Sequence, residues 1–278
     1  MLTPPRIRHV MPGLTFLLSV LAAGSCRPAA RVMCGPPAAP VPRPARLWPN
    51  APAGLPLLSD EPFSALDADG WRVTRRETGH GSDVALATDS SAPVSPPGVL
   101  EFTYGVGFPG GYEPGVAAYD PAPPVRDAYF GLWWKPSDPW QNHAGSGVNK
   151  IAFLYAGQGL GDIALIMFRA ESAYTIQVVP EFPKDVRRLA PNVAATPVSL
   201  GAWHQLEWHV RYAGPDTSAA GLVEWWLDGA LQGRYADLRT PGGAGFTEFQ
   251  IAPTWGGMGG VKTENDHICV DQAEVRGR

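Results

Sequence analysis

The stretch Gly201–Tyr235 reads GAWHQLEWHVRY, then AGPDTSAAG, then LVEWWLDGALQGRY. Two runs of alternating apolar and polar residues flank a short segment of turn-forming residues. A strand that buries one face shows a side-chain period of two, and a Gly/Pro/Asp/Ser cluster between two such runs marks a reversal. Leu206, Trp208 and Val210 share one face of the first run, and Gln205, Glu207, His209 and Arg211 share the other. Val223, Trp225 and Leu227 are the inward set of the second run. Asp228-Gly229 is a tight-turn dipeptide that reverses the chain again before LQGRY. The pattern predicts an antiparallel meander whose outward residues, Glu207, His209, Arg211 and Glu224, form a solvated charge patch.

The same period recurs on either side. Strands are expected at 99–104, 128–135, 150–155, 163–169, 174–179, 203–212, 222–228, 246–251 and 267–274, separated by turn signals. No internal repeat and no amphipathic helix is apparent. The glycine and proline content, 32 and 30 residues, suits many turns and opposes long helices. The expected fold is all-β, a two-sheet antiparallel jelly-roll sandwich. The stretch around 82–97 reads as a polar, irregular patch.

Trp203-His204 at a strand start, followed by Trp226-x-Asp228-Gly229, resembles the concanavalin A-like lectin/glucanase superfamily. This group includes laminin-G-type modules and several jelly-roll polysaccharide lyases. The closing run His267–Gly277, with Asp271, is similar to the last strand of that fold. The likeness spans roughly residues 99–278, and it implies a concave sheet face and surrounding loops that meet a polysaccharide. It further implies a structural Ca²⁺ where the first and last strands meet, with Asp60 and Asp271 as ligands beside Glu61.

The N-terminus carries Arg6, Arg8 and His9 ahead of an apolar stretch from Val10 to Ala23. A basic segment followed by an apolar one of this length reads as a secretory signal and not a membrane span. Ala23-Gly24-Ser25-Cys26 resembles a bacterial lipobox, with Cys26 as the lipidated residue. The expected organisation is a leader over 1–25, a Pro/Ala-rich tether over 26–56 and one sandwich domain over 57–278. The expected location is the cell envelope, with the protein held to a membrane through its lipid. Net charge is −4, and loss of Arg6 and Arg8 with the leader would bring it near −6. That balance, without a basic stripe, speaks against nucleic acid as a partner. Cys34 and Cys269 could pair in an oxidising compartment, or Cys269 could be a small buried hydrophobe.

Four segments combine the rings, amides and charges that sugar recognition uses. Tyr129–Lys150 offers Trp134, Lys135, Trp140, His143, Asn149 and Lys150. Phe108–Tyr119 offers Tyr112 on a glycine-rich loop. Phe249–Asp266 offers Gln250, Trp255 and Lys262. Tyr174–Pro183 offers Gln177 and Glu181, polar residues set between apolar ones. Elimination from a uronate needs a base, a group that neutralises the carboxylate and an acid for the leaving oxygen. His143, Tyr155 and Tyr112 are the candidates for proton transfer, and the amides and lysines for neutralisation. The E-x-D-x-x-E string of one glycosidase type is absent, as are the alginate-lyase strings R-x-E-x-R, Q-I-H and YFKAG-x-Y. A lyase-like enzyme acting on a uronate glycan is therefore the leading expectation. A lectin-like module and a cell-surface adhesion domain are the alternatives.

Overall fold

The computed structural model describes residues 47–76, 78–157, 159–213 and 220–278. Fourteen strands and no helix make up these residues. They are β1 Leu57–Glu61, β2 Trp71–Arg75, β3 Asp83–Thr88, β4 Gly98–Tyr104, β5 Gly115–Tyr119, β6 Asp127–Pro136 and β7 Val148–Ala156. The remainder are β8 Asp162–Ala170, β9 Ala173–Pro180, β10 His204–Arg211, β11 Gly221–Leu227, β12 Ala230–Leu238, β13 Phe246–Ile251 and β14 Asp266–Gly277. One sheet of eight strands runs β12-β11-β10-β6-β14-β4-β3, with β1 also on β14; the other, of six, runs β2-β5-β13-β7-β8-β9. All pairings are antiparallel, and the result is a jelly-roll sandwich.

The meander forms as its pattern dictates. Leu206, Trp208 and Val210 of β10 and Val223, Trp225 and Leu227 of β11 are all buried between the sheets. They meet Leu154, Leu165, Met167, Ile176, Phe249 and Ile251 from the opposite sheet. The Trp225 indole donates to the Ile176 carbonyl at 3.0 Å and so bridges the two layers. Asp228 and Gly229 both have positive φ, 52° and 80°, as a two-residue turn between twisted strands requires. The Asp228 carboxylate then binds Gln205 N–H and His204 Nδ1, each at 2.8 Å. His204 and Asp228 of the motif thus staple the hairpin.

Two expectations change. The 82–97 patch contains β3, whose Val84 packs in the core. The outward face of the meander is solvated only in part: Arg211 is exposed, but residues 47–55, assigned to the tether, lie across Glu207. Trp48, Ala51 and Leu55 are buried there with Tyr129, Trp133 and Trp203. Glu207, fully buried, accepts from the Asn50 backbone N–H (2.8 Å), the Asn50 amide (2.7 Å) and the Tyr129 hydroxyl (2.7 Å). His209 lies between Asp127 (2.7 Å) and Glu224 (3.2 Å). Cys269, on this same side, is disulfide-bonded, which sets aside its reading as a plain buried thiol.

Candidate functional site

The other exposed sheet surface, the outer face of the six-stranded sheet, follows from alternation. In β13, Phe249 and Ile251 point into the core, so Glu248, Gln250 and Ala252 point out. Register places Glu248 beside Tyr155 of β7, and Tyr155 beside Asp162 of β8. Glu181, just past β9, comes next through its backbone bond to the Asp162 carbonyl at 2.8 Å. The following row is Gln250, Phe153, Ala164 and Val179. A bulge between Lys150 and Ala152 then breaks the alternation. Ile151 and Ala152 both face the core, and Lys150 is turned outward beside Ile166 and Gln177. Re-aiming one side chain is what a bulge does.

The chemistry of this face centres on Lys150. Its ammonium is 2.9 and 3.1 Å from the two Glu181 carboxylate oxygens and 5.2 Å from the centre of the Phe153 ring. Phe153 stacks on Tyr155 with 5.6 Å between ring centres. Gln250 donates to Glu248 at 2.6 Å. Burial, then the carboxylates of Asp162, Glu248, Glu113 and Glu181, push the Tyr155 phenol above the ordinary tyrosine range. Burial, then the charge of Glu181, pushes the Asp162 carboxyl up to about 6 against the pull of Lys150. Among the described residues Asp162 Oδ1 and Gln177 Oε1 are buried with no hydrogen-bond partner. A recess of about 360 Å³ opens here, lined by Lys150, Ile166, Val179 and Glu181 and, on the loop side, by Gly111 and Met258.

Of the residues expected from sequence, the fold brings Lys150, Tyr155, Gln177, Glu181 and Gln250 onto this one face. The rest sit elsewhere, and each has a physical reason. Trp134 is fully buried between the sheets, so it is core and no sugar platform. Lys135, on the opposite sheet surface, is buried in an ion pair with Asp89 at 2.5 Å. Trp140 and Asn149 are buried and bound to each other, indole to amide oxygen, at 3.2 Å. Trp255 is buried with its indole donating to the Gln141 carbonyl at 2.8 Å. Lys262 is buried against Asp266.

His143 is no free base. Its Nε2 meets the Gly259 carbonyl at 2.7 Å, and its Nδ1 accepts from the Ser146 backbone N–H at 3.2 Å. These bonds place the ring proton on Nε2 and occupy both nitrogens. Tyr112 sits on the rim of the loops with the Arg76 guanidinium over its ring at 5.4 Å. Asp60 and Asp271 do not converge on a cation. Asp60 accepts from the Gln272 amide, whereas Asp271 holds the backbone N–H groups of Val94 and Ser95 at 2.5 and 3.0 Å. Among the described residues no group of three or more His, Cys, Asp or Glu side chains could hold a metal ion. Cys26 lies outside the described residues.

Asp162 and Glu248 belong to the site but were not singled out from sequence. Their outward direction follows from period two once the neighbouring apolar residues are known to face the core. Their meeting with Tyr155 is a matter of register, which the string of letters does not contain.

The raised Asp162 carboxyl has a measurable consequence. Its folded value lies above the usual 3.8, so between about pH 4 and pH 6 the native state binds more protons than the unfolded state. This group's effect on stability therefore turns unfavourable as pH rises through that window. Asp162→Asn is expected to raise the melting temperature by a few degrees at pH 7 and to change it little at pH 4, in paired thermal scans. An equal change at both pH values would contradict this assignment.

No protein-family model matches the chain, and no curated protein matches it in sequence. Solved structures do match. An endo-β-1,4-glucuronan lyase from the fungus Trichoderma reesei aligns at 18% identity over 76% of this chain and 92% of its own, with a TM-score of 0.53. The cellulose-induced protein Cip1 aligns at 15% identity over 78% and 96%, with a TM-score of 0.52. A variant of alginate lyase Aly36B, solved with alginate trisaccharide, aligns at 8% identity over 74% and 88%, with a TM-score of 0.54. Likeness at these identities is likeness of fold: the chain is a concanavalin A-like jelly roll of the kind that polysaccharide lyases also use.

Proposed function

We propose that this chain is an exported, polysaccharide-active protein that binds a uronate-bearing glycan across the outer face of its six-stranded sheet and cleaves it by β-elimination. The observation that carries the reading is a recess lined by Lys150 and Glu181 and floored by Ile166 and Val179, on the same sheet face that carries Tyr155, Gln177 and Gln250. Rings and apolar side chains suit the C–H faces of sugars, and the amides and charges suit hydroxyl and carboxylate groups.

In this mechanism the Lys150 ammonium meets the uronate carboxylate and stabilises charge that spreads from C5 as its proton leaves. Glu181, which Lys150 now holds, receives that proton. Electrons from the broken C–H bond form the C4–C5 double bond and expel the 4-linked oxygen, which takes the Tyr155 proton. Burial keeps the Tyr155 phenol protonated at neutral pH, so the proton is in place for the leaving oxygen.

The test is incubation with a panel of uronate polysaccharides, glucuronan and alginate included, read as new absorbance at about 235 nm from the unsaturated product. Lys150→Ala and Tyr155→Phe are each expected to lose about 10²-fold or more in kcat/KM. Product formation unchanged in both variants would refute the assignment. Export includes lipid attachment at Cys26, so Cys26→Ser should move the protein out of the membrane fraction.

One observation favours a second reading. The carboxylates around Tyr155 oppose its ionisation and leave the face rich in negative charge. In a purely carbohydrate-binding module the same side chains would retard the protein on glycan gels, and no absorbance would appear.

A further inference from the structure

We infer that Met258 is a specificity-determining contact on one wall of the glycan groove, and that His143 is the positioning residue that holds this wall in place. The inference rests on the reading of the outer face given above and adds the contacts beyond Lys150. The wall is made of two paired loops. Gly107 N–H donates to the Lys262 carbonyl at 2.8 Å and Lys262 N–H to Phe108 at 2.9 Å. Gly110 N–H reaches Gly260 at 3.1 Å, Gly111 N–H reaches Trp255 at 2.8 Å, and Trp255 N–H returns to Tyr112 at 3.0 Å. The pair is joined to the sheet where Lys150 N–H donates to the Thr254 carbonyl at 2.9 Å.

His143 is the pin beneath this ribbon. Besides its bond to the Gly259 carbonyl, its ring stands edge-on to Trp255 with 4.9 Å between centres. A Cβ at Gly256 would overlap the His143 ring, and Gly256 also has φ +69°. A Cβ at Gly110 would lie 2.8 Å from His143 Nε2. The glycines therefore let the loops close onto the imidazole.

The outer edge of the ribbon is unusually apolar. Of the eight exposed large apolar side chains among the described residues, four (Val106, Tyr112, Met258 and Val261) stand on these two loops. Clustered exposed apolar groups mark contact surfaces. Met258 is 82% exposed and borders both the Lys150 recess and a second recess of about 280 Å³ shared with Gln141 and Val261. A glycan whose charged ring meets Lys150 would pass its adjoining ring over the Met258 thioether. The ligand class is thus an oligomer and not a single sugar acid, with an apolar ring face presented to the wall.

The experiment measures dissociation constants for the panel polysaccharide that binds wild type best, and for the monomeric uronic acid derived from it. Met258→Ala, a change at an exposed site, is expected to weaken the polymer about fivefold and leave the monomer unchanged. His143→Ala should lose the same polymer-over-monomer preference, with faster amide exchange confined to Gly256–Gly260 and their partners. Wild-type binding that Met258→Ala leaves intact overturns the inference alone. Polymer and monomer weakened equally in His143→Ala would reduce His143 to a purely structural part. If wild type binds no glycan on the panel, the reading of the outer face falls and this inference with it.

Discussion

A chain that begins at Leu57 is expected to melt on the order of 10–25 °C below one that begins at Leu47. The ten residues between them would pass for linker by composition, yet they cover the middle of the outer face of the eight-stranded sheet. Trp48 and Leu55 are buried against Tyr129 and Trp133, and burial of each such side chain contributes about 1.5–3 kcal/mol. Gly131 has no side chain because the Trp48 ring occupies that space; a Cβ there would lie 2.5 Å from it. Removing Asn50 also leaves the Glu207 carboxylate with only the Tyr129 hydroxyl, at 2.7 Å. Losing partners of a buried group costs about 1–3 kcal/mol more. Thermal unfolding of the two chains side by side decides the matter, and coincident transitions would show the segment to be a passive covering.

Lys262→Met is expected to destabilise the domain by about 3–5 kcal/mol, because it strands the Asp266 carboxylate inside the protein. The Lys262 ammonium is enclosed by three rings, Trp140 at 4.2 Å, Trp255 at 4.7 Å and Tyr104 at 5.1 Å. It pairs with Asp266 and donates to the Gln141 carbonyl at 3.3 Å. Burial pushes this lysine down to about 8 although Asp266 pulls the other way. Asp266 also holds Gln141 N–H at 3.0 Å, so the pair fastens the Trp140–Ser146 loop to the last strand. Combining the change with Asp266→Asn should recover more than half of the loss, since no charge is then left unpaired. Urea midpoints of the single and double variants provide the check. A single variant within 1 kcal/mol of wild type, or a double variant no better than the single, would contradict this account.

The architecture was legible wherever large apolar residues alternate strictly. All nine expected strands form, and the inward sets of β10 and β11 are as read. Five strands lie outside the nine expected ranges, β1, β2, β3, β5 and β12. Of these, β2 (WRVTR) buries only its tryptophan fully, β3 starts inside a stretch of Asp, Ser and Pro, and β5 (GVAAY) is short with mostly small side chains. The site was legible in part for the same reason. Gln177 and Glu181 interrupt apolar neighbours at period two, and both lie on the outer face.

Aromatic content misled where burial depends on distant partners. Trp134, Trp140 and Trp255 have the composition of sugar platforms, but the second sheet and the loop pair close over them. Lys135 finds Asp89 46 positions away, and Glu207 finds Asn50 157 positions away. Sequence spacing carries no trace of such pairs. The outward aim of Lys150 rests on a bulge, a one-residue departure that alternation cannot foresee.

The covering at residues 47–55 also fixes which way the domain faces. The backbone arrives at Leu47 behind the eight-stranded sheet, while Lys150 and its neighbours look out from the far side of the sandwich. Anything that moors the chain upstream of Leu47 therefore pulls from the rear. A long polymer, even one embedded in a wall or matrix, can lie across the front without threading past the mooring, so attachment and glycan capture need not compete for the same space.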